Sequence, residues 1–154
     1  MIRLFPGRAR PAVLLCLLCA FLVSGACSSP PPQLSIEGPS AELSPVFLGV
    51  ASVYLTVRNG GGRDALVAAH AAVTNALVEL HDVQNNRMVK VERIAVPARG
   101  ELKLRPGSWH LMVFNLPRAM KEGDDLVLTL RFERSGEQQV RMKLERAGAA
   151  QSSP

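Results

Sequence analysis

Residues 77–96, LVELHDVQNNRMVKVERIAV, read as two short strands joined at Asn85-Asn86. Asparagine tolerates positive φ at low cost, so this pair suits the two-residue turn of a tight β-hairpin. Side chains alternate between faces along a strand, and closing the hairpin there sets Val83 opposite Met88 and His81 opposite Lys90. His81 and Met88 then share one face as diagonal neighbours, about 7–8 Å apart at the backbone. Leu80, Val89 and Val91 fall on the other face, the expected core side. Met88 thus stands among polar neighbours, Lys90 and Glu92, where packing does not call for a methionine.

The same grammar extends in both directions. Downstream come ELKLRPG (101–107), with a turn at Pro106-Gly107, then SWHLMVFNL (108–116), a loop at 121–124, LVLTLRF (126–132), a turn at Ser135-Gly136 and QVRMKLE (139–145). Upstream, residues 34–37 and 47–57 are apolar and β-branched, the second run ending at Asn59-Gly60-Gly61-Gly62. Residues 65–76 are alanine-rich but carry Val67, Val73 and Thr74, and are read as strand and loop. Short strands at regular spacing, with no internal repeat and no long helix, predict an all-β fold: an antiparallel β-sandwich or Greek-key barrel.

His110-Leu111-Met112 adds a second pair of metal-capable side chains. By alternation His110 and Met112 point one way, and Trp109, Leu111 and Val113 the other, with Trp109 expected in the core. Two imidazoles and two thioethers would then occupy one face of one sheet. Thioether sulfur is a soft donor, and mixed with imidazole it selects Cu(I) over hard ions. His81, Met88, His110 and Met112 are the candidate ligands. Each has a plainer reading: Met88 as a flexible filler at a sheet edge, His81 as a hydrated surface histidine. His70 has no soft partner at a useful spacing, and Met120 and Met142 read as core. No nucleophile–histidine–acid order, paired carboxylates or glycine-rich phosphate loop stands in a supporting context, so no enzyme activity is expected.

The N-terminus addresses the chain for export. Arg3, Arg8 and Arg10 precede the apolar run AVLLCLLCAFLV (12–23), and Ser24, Gly25 and Ala26 lead to Cys27. A basic start, a short apolar run and small residues make an export signal over 1–26. The run is short of the roughly 20 apolar residues that span a bilayer. The pattern resembles a lipoprotein signal, with Cys27 as the lipidated first residue. Ser24 stands where that signal prefers leucine, and Ser24 with Ala26 also suits ordinary signal peptidase cleavage, which would leave a soluble protein. Residues 27–33 would form a polar, proline-rich tether, 34–146 the folded domain and 147–154 a flexible tail. Cys16, Cys19 and Cys27 all lie in or beside the signal, so the mature domain has neither disulfide nor thiolate ligand. Methionine binds metal without deprotonation and cannot cross-link, which suits an oxidising compartment. Of the formal net charge of +5, three positive charges belong to the first 26 residues, leaving +2 without a basic run. Nucleic acid is therefore not an expected partner.

Taken together these segments resemble the periplasmic copper chaperones often called PCu(A)C. That family carries a His, a Met roughly eleven residues on, then twenty-one residues and a His-any-Met tripeptide. Met88, His110 and Met112 match the second part residue for residue. The likeness runs through AELSPVFLGVASVYLTVRNGGGRDALV (41–67), VELH (78–81), ELKLRPGSWHLMVFNL (101–116) and KEGDDLVLTLRF (121–132). The resemblance implies a cupredoxin-like sandwich that binds Cu(I); whether Cu(II) also binds is left open by the residues. It also implies transfer of copper to an acceptor, a respiratory oxidase subunit or its assembly factor. Two departures stand out. His81 to Met88 is only seven residues, so about four are missing, and Asp82 stands where some relatives carry an additional Met. Loss of four residues at a hairpin tip takes two from each strand and keeps side-chain parity. The expected protein is an exported, periplasmic or cell-surface Cu(I) carrier, touching membrane only through its lipid. The competing readings are a structural or partner-binding sandwich with a weakened site, and copper buffering without delivery.

Overall fold

The computed structural model describes residues 29–147. The expected export signal, Cys27 and residues 148–154 of the expected tail lie outside the described residues. Among the described residues ten strands are formed: β1 (Leu34–Leu43), β2 (Ala51–Asn59), β3 (Asp64–Ala71), β4 (Leu77–Gln84), β5 (Arg87–Lys90), β6 (Ile94–Val96), β7 (Gly100–Leu104), β8 (His110–Phe114), β9 (Asp125–Phe132) and β10 (Gly136–Arg146). Their hydrogen-bonded order is β5-β4-β8-β2-β1-β10-β9-β3-β6, with β7 also paired to β2. Strands β1, β2, β4, β5, β7 and β8 make one layer, and β3, β6, β9 and β10 the other. All pairings are antiparallel but one. Strands β1 and β10, from opposite ends of the domain, run parallel at Ala41↔Leu144 through Leu43↔Arg146 and join the layers. The expected antiparallel sandwich is thus a mixed one at its seam.

The core is built by alternation. In β2, Ala51, Val53, Leu55 and Val57 are buried; in β9, Leu126, Leu128, Leu130 and Phe132 are. The Asn85-Asn86 turn closes as read: both residues have positive φ (50° and 63°), and the register sets Val83 against Met88 and His81 against Lys90. Residues 65–71 are strand, as β-branching suggested. Three expectations need correction. Val89, expected on the core side, is 39% exposed, because β5 is the edge strand of its layer and has no second layer over it there. Residues 47–50 are not strand, because Pro45 and Gly49 (φ 72°) bend the chain and leave Val46, Phe47 and Leu48 exposed. Trp109 is not a core anchor. The Pro106-Gly107 turn closes with the Arg105 N–H donating to the Trp109 carbonyl (2.8 Å), and β8 begins only at His110. Trp109 therefore sits outside the strand alternation, 39% exposed.

Residues 29–33, expected as tether, are seated on the domain. The Gly60 and Gly62 amides donate to the carbonyls of Gln33 (2.8 Å) and Pro31 (3.1 Å). The Gln33 amide in turn donates to Oδ1 of buried Asn59 (3.1 Å). A Cβ at Gly61 or Gly62 would overlap the carbonyl oxygens of Pro31 and Pro30. Gly62→Ala is accordingly expected to destabilise the domain by about 1–3 kcal/mol, as an overpacked contact does. Urea unfolding checks this, and an unchanged midpoint would contradict it.

Candidate metal centre

Strand β8 lies between β4 and β2, and this placement assembles the site. On the β4 side His81 pairs with His110 and Glu79 with Met112; on the β2 side Ser52 pairs with Met112. Cross-strand partners share a face, so both imidazoles, the Met112 thioether and the Glu79 carboxylate face the same way. Met88 joins from β5, diagonal to His81. A cavity of about 690 Å³ is lined by His81, Met88 and Met112, with Ser52, Tyr54 and Phe114 among its walls. His110 sits at the back: its ring centroid is 5.8 Å from that of His81 and 6.4 Å from that of Tyr54. All four sequence-derived candidates thus gather in one place. His110 and Met112 are buried, His81 is nearly so, and Met88 is 61% exposed at the mouth.

Hydrogen bonding decides which ring nitrogens are free. His110 Nδ1 lies 2.7 Å from the Ser108 carbonyl, which can only accept, so Nδ1 carries the proton and Nε2 keeps a lone pair. His81 Nε2 lies 3.0 Å from Glu79 Oε2. Its Nδ1 is buried without a hydrogen-bond partner. A buried polar nitrogen without a partner is costly, and a metal would satisfy it. The Ser52 hydroxyl donates to the Met112 sulfur (3.3 Å), holding the thioether in place. The Glu79 carboxyl is held below the usual carboxylate range by its bond to His81 and by Lys90, whose Nζ donates to Oε1 (2.8 Å). Burial raises the Tyr54 hydroxyl above its ordinary value, against the lowering effect of Ser52, so it stays a neutral wall of the cavity.

Among the described residues, no group of three or more His, Cys, Asp or Glu converges as a metal cage. A site formed by the residues lining this cavity would draw on the thioethers of Met88 and Met112, donors that suit a soft monovalent ion better than zinc or calcium. Another cavity, about 760 Å³, is lined by Arg63, Asp64, Arg93 and Arg134 among others, with neither His nor Met in its wall. Sequence reasoning missed Glu79 and Ser52. Glu79 was within reach of it, two residues before His81 on the same strand and so of the same parity. Ser52 became visible only through the β2–β8 register.

Residues 34–144 match the family model described as "Putative lipoprotein LpqE-like". A protein of Leifsonia xyli subsp. xyli (strain CTCB07), "Putative lipoprotein Lxx21020", is 25% identical over 137 residues, covering 84% of this chain and 82% of the relative. Among solved structures, the apo PCuAC domain from PmoF1 is similar with a TM-score of 0.64 at 23% identity, covering 73% of this chain and 93% of that domain. The copper-bound PCuAC domain from PmoF2 gives 0.63 at 22% identity, covering 73% and 92%. The solution structure of CuI-DR1885 from Deinococcus radiodurans gives 0.60 at 22% identity, covering 81% and 85%. The three structural likenesses establish the cupredoxin-like sandwich architecture. With its model matched from the first strand nearly to the end of the last, the chain belongs to the LpqE-like lipoprotein family, built on the fold of the PCuAC domains.

Proposed function

We propose that this protein is an exported, lipid-anchored Cu(I) carrier that hands copper to a respiratory oxidase copper centre or its assembly factor. One observation carries the reading: two imidazoles 5.8 Å apart, each with one nitrogen engaged and the other free, share a face with the thioethers of Met88 and Met112. His81, His110 and Met112 form the buried side of the site. Met88, at the mouth, is the ligand that an acceptor's donor would replace first. The exposed side chains of Val46, Phe47 and Leu48 border the same cavity and give an approaching acceptor an apolar surface.

The family's description as lipoproteins supports lipidation at Cys27. The chain enters the domain where Ser29 and Pro30 accept hydrogen bonds from Arg134 (3.3 Å), beside the Asn59 end of β2. Ser52, at the metal centre, is seven residues along that strand, or about 23 Å at the usual rise. A lipid on Cys27 would hold the domain by one end and turn the copper site away from the membrane.

Binding of Cu(I) to the folded state alone should raise thermal stability. At free copper about 100 times the dissociation constant, linkage gives ~2.7 kcal/mol. In a domain of this size that corresponds to a rise in Tm of roughly 10 °C. Anaerobic thermal unfolding with and without Cu(I) checks it. An unchanged Tm would favour a partner-binding sandwich instead.

A further inference from the structure

Glu79 spans two strands. Its Oε2 meets His81 Nε2 at 3.0 Å within β4, and its Oε1 accepts from Lys90 Nζ of β5 at 2.8 Å. Both carboxylate oxygens are therefore engaged, one holding the ring and the other held in place by Lys90. A carboxylate only accepts, so the neutral His81 ring must carry its proton on Nε2. The remaining nitrogen, Nδ1, is the buried one with no partner. His110 is fixed in the opposite sense, its Nδ1–H given to the Ser108 carbonyl and its Nε2 left free. The two rings thus present different nitrogens, and each choice is made by an acceptor outside the ring.

We propose that Glu79 is a positioning residue: clamped by Lys90, it locks His81 in the Nε2–H tautomer so that Nδ1 is the nitrogen offered to copper. The inference rests on the copper-carrier reading above and deepens it. Without Glu79, the His81 ring would be free to exchange tautomers and to rotate. Copper binding would then have to order the ring each time, at a cost to affinity. A carboxylate behind a metal-binding imidazole typically contributes about 10–100-fold in affinity. The competing explanation is that Glu79 serves only the surface ion pair with Lys90, with no consequence for the ring.

The test uses the full chain, ¹⁵N-labelled in detergent micelles at about pH 8, well above the ordinary histidine range near ~6.5. Imidazole ¹⁵N–¹H correlation spectra without copper read the tautomers, and anaerobic chelator competition reads Cu(I) affinity. The native chain should show His81 protonated at Nε2 and His110 at Nδ1. Glu79→Ala should mix the His81 tautomers, leave His110 unchanged and weaken Cu(I) binding about 10–100-fold. Glu79→Gln keeps an acceptor oxygen and should recover much of both properties. Lys90→Met should alter the tautomer less than Glu79→Ala does. A native His81 protonated at Nδ1, or a Glu79→Ala chain with native tautomer and affinity, would overturn the proposal and leave the carrier reading standing. A native chain with no Cu(I) affinity would overturn the carrier reading, and this role of Glu79 with it.

Discussion

Met112→Leu is expected to bind Cu(I) at least about 100-fold more weakly than the native chain while keeping its fold. Leucine and methionine are close in volume, and such swaps usually cost less than about 1.5 kcal/mol of stability. Met112 is 9% exposed and packed between Ser52 and Glu79, so the side chain's shape is largely preserved. What disappears is the sulfur, one of only two soft donors at the site. Outer-shell changes around a metal already cost about 10–100-fold, and loss of a ligand should reach or exceed the top of that range. Met88→Leu is expected to lose at least about tenfold with no change in stability beyond ~0.5 kcal/mol, because Met88 is exposed at the mouth. Chelator competition at fixed pH measures both. Unchanged affinity in the two variants would remove methionine from the ligand set.

Asp64→Asn should give the largest stability loss outside the hydrophobic core, about 2–4 kcal/mol. Asp64 is 3% exposed and accepts four hydrogen bonds. Ala65 N and Arg134 N donate to Oδ1 (each 2.8 Å), and Ser135 N (2.9 Å) and Ser135 Oγ (2.5 Å) to Oδ2. These bonds tie the start of β3 to the β9–β10 turn, so one side chain orders that end of the layer they share. Asparagine would replace one acceptor oxygen by an amide, setting donor against donor. Burial alone would push the Asp64 carboxyl upward. The Ser135 hydroxyl and the amides of Ala65, Arg134 and Ser135 outweigh it and hold the group below its ordinary value. Because the folded value is depressed, this stabilisation is complete above the unfolded carboxyl value of ~3.9. It is lost as pH falls through the folded one. The native chain should therefore lose stability on acidification below about pH 4 more steeply than Asp64→Asn. Urea midpoints across that range provide the comparison, and parallel curves would contradict it.

How much of this could be read from the residues differs from element to element. The β4–β5 hairpin was legible because Asn85-Asn86 names its own turn, and a two-residue turn dictates register and facing together. His110 and Met112 shared a face by the same alternation. Trp109 was misplaced because alternation was carried through a residue that lies before the strand: the Pro106-Gly107 turn ends at Trp109, and β8 starts after it. The apolar run 47–57 overstated a strand because burial and strand formation part company where Pro45 and Gly49 bend the chain. Long-range pairing was the least legible. Nothing local marks β8 as the neighbour of β4 and β2, or β1 as the parallel partner of β10; those contacts form when the layers close on a common core. Glu79 and Ser52 take their roles from that closure, as a carboxylate behind one imidazole and a hydroxyl on one thioether.

The most direct measurement of the proposed metal centre is the copper K-edge absorption spectrum of the full chain, loaded anaerobically with one equivalent of Cu(I) and desalted. The predicted result is one retained copper per chain, with a nearest shell of both imidazole nitrogen and thioether sulfur from His81, His110, Met88 and Met112. A shell without sulfur, or a chain that emerges from desalting without copper, would contradict it.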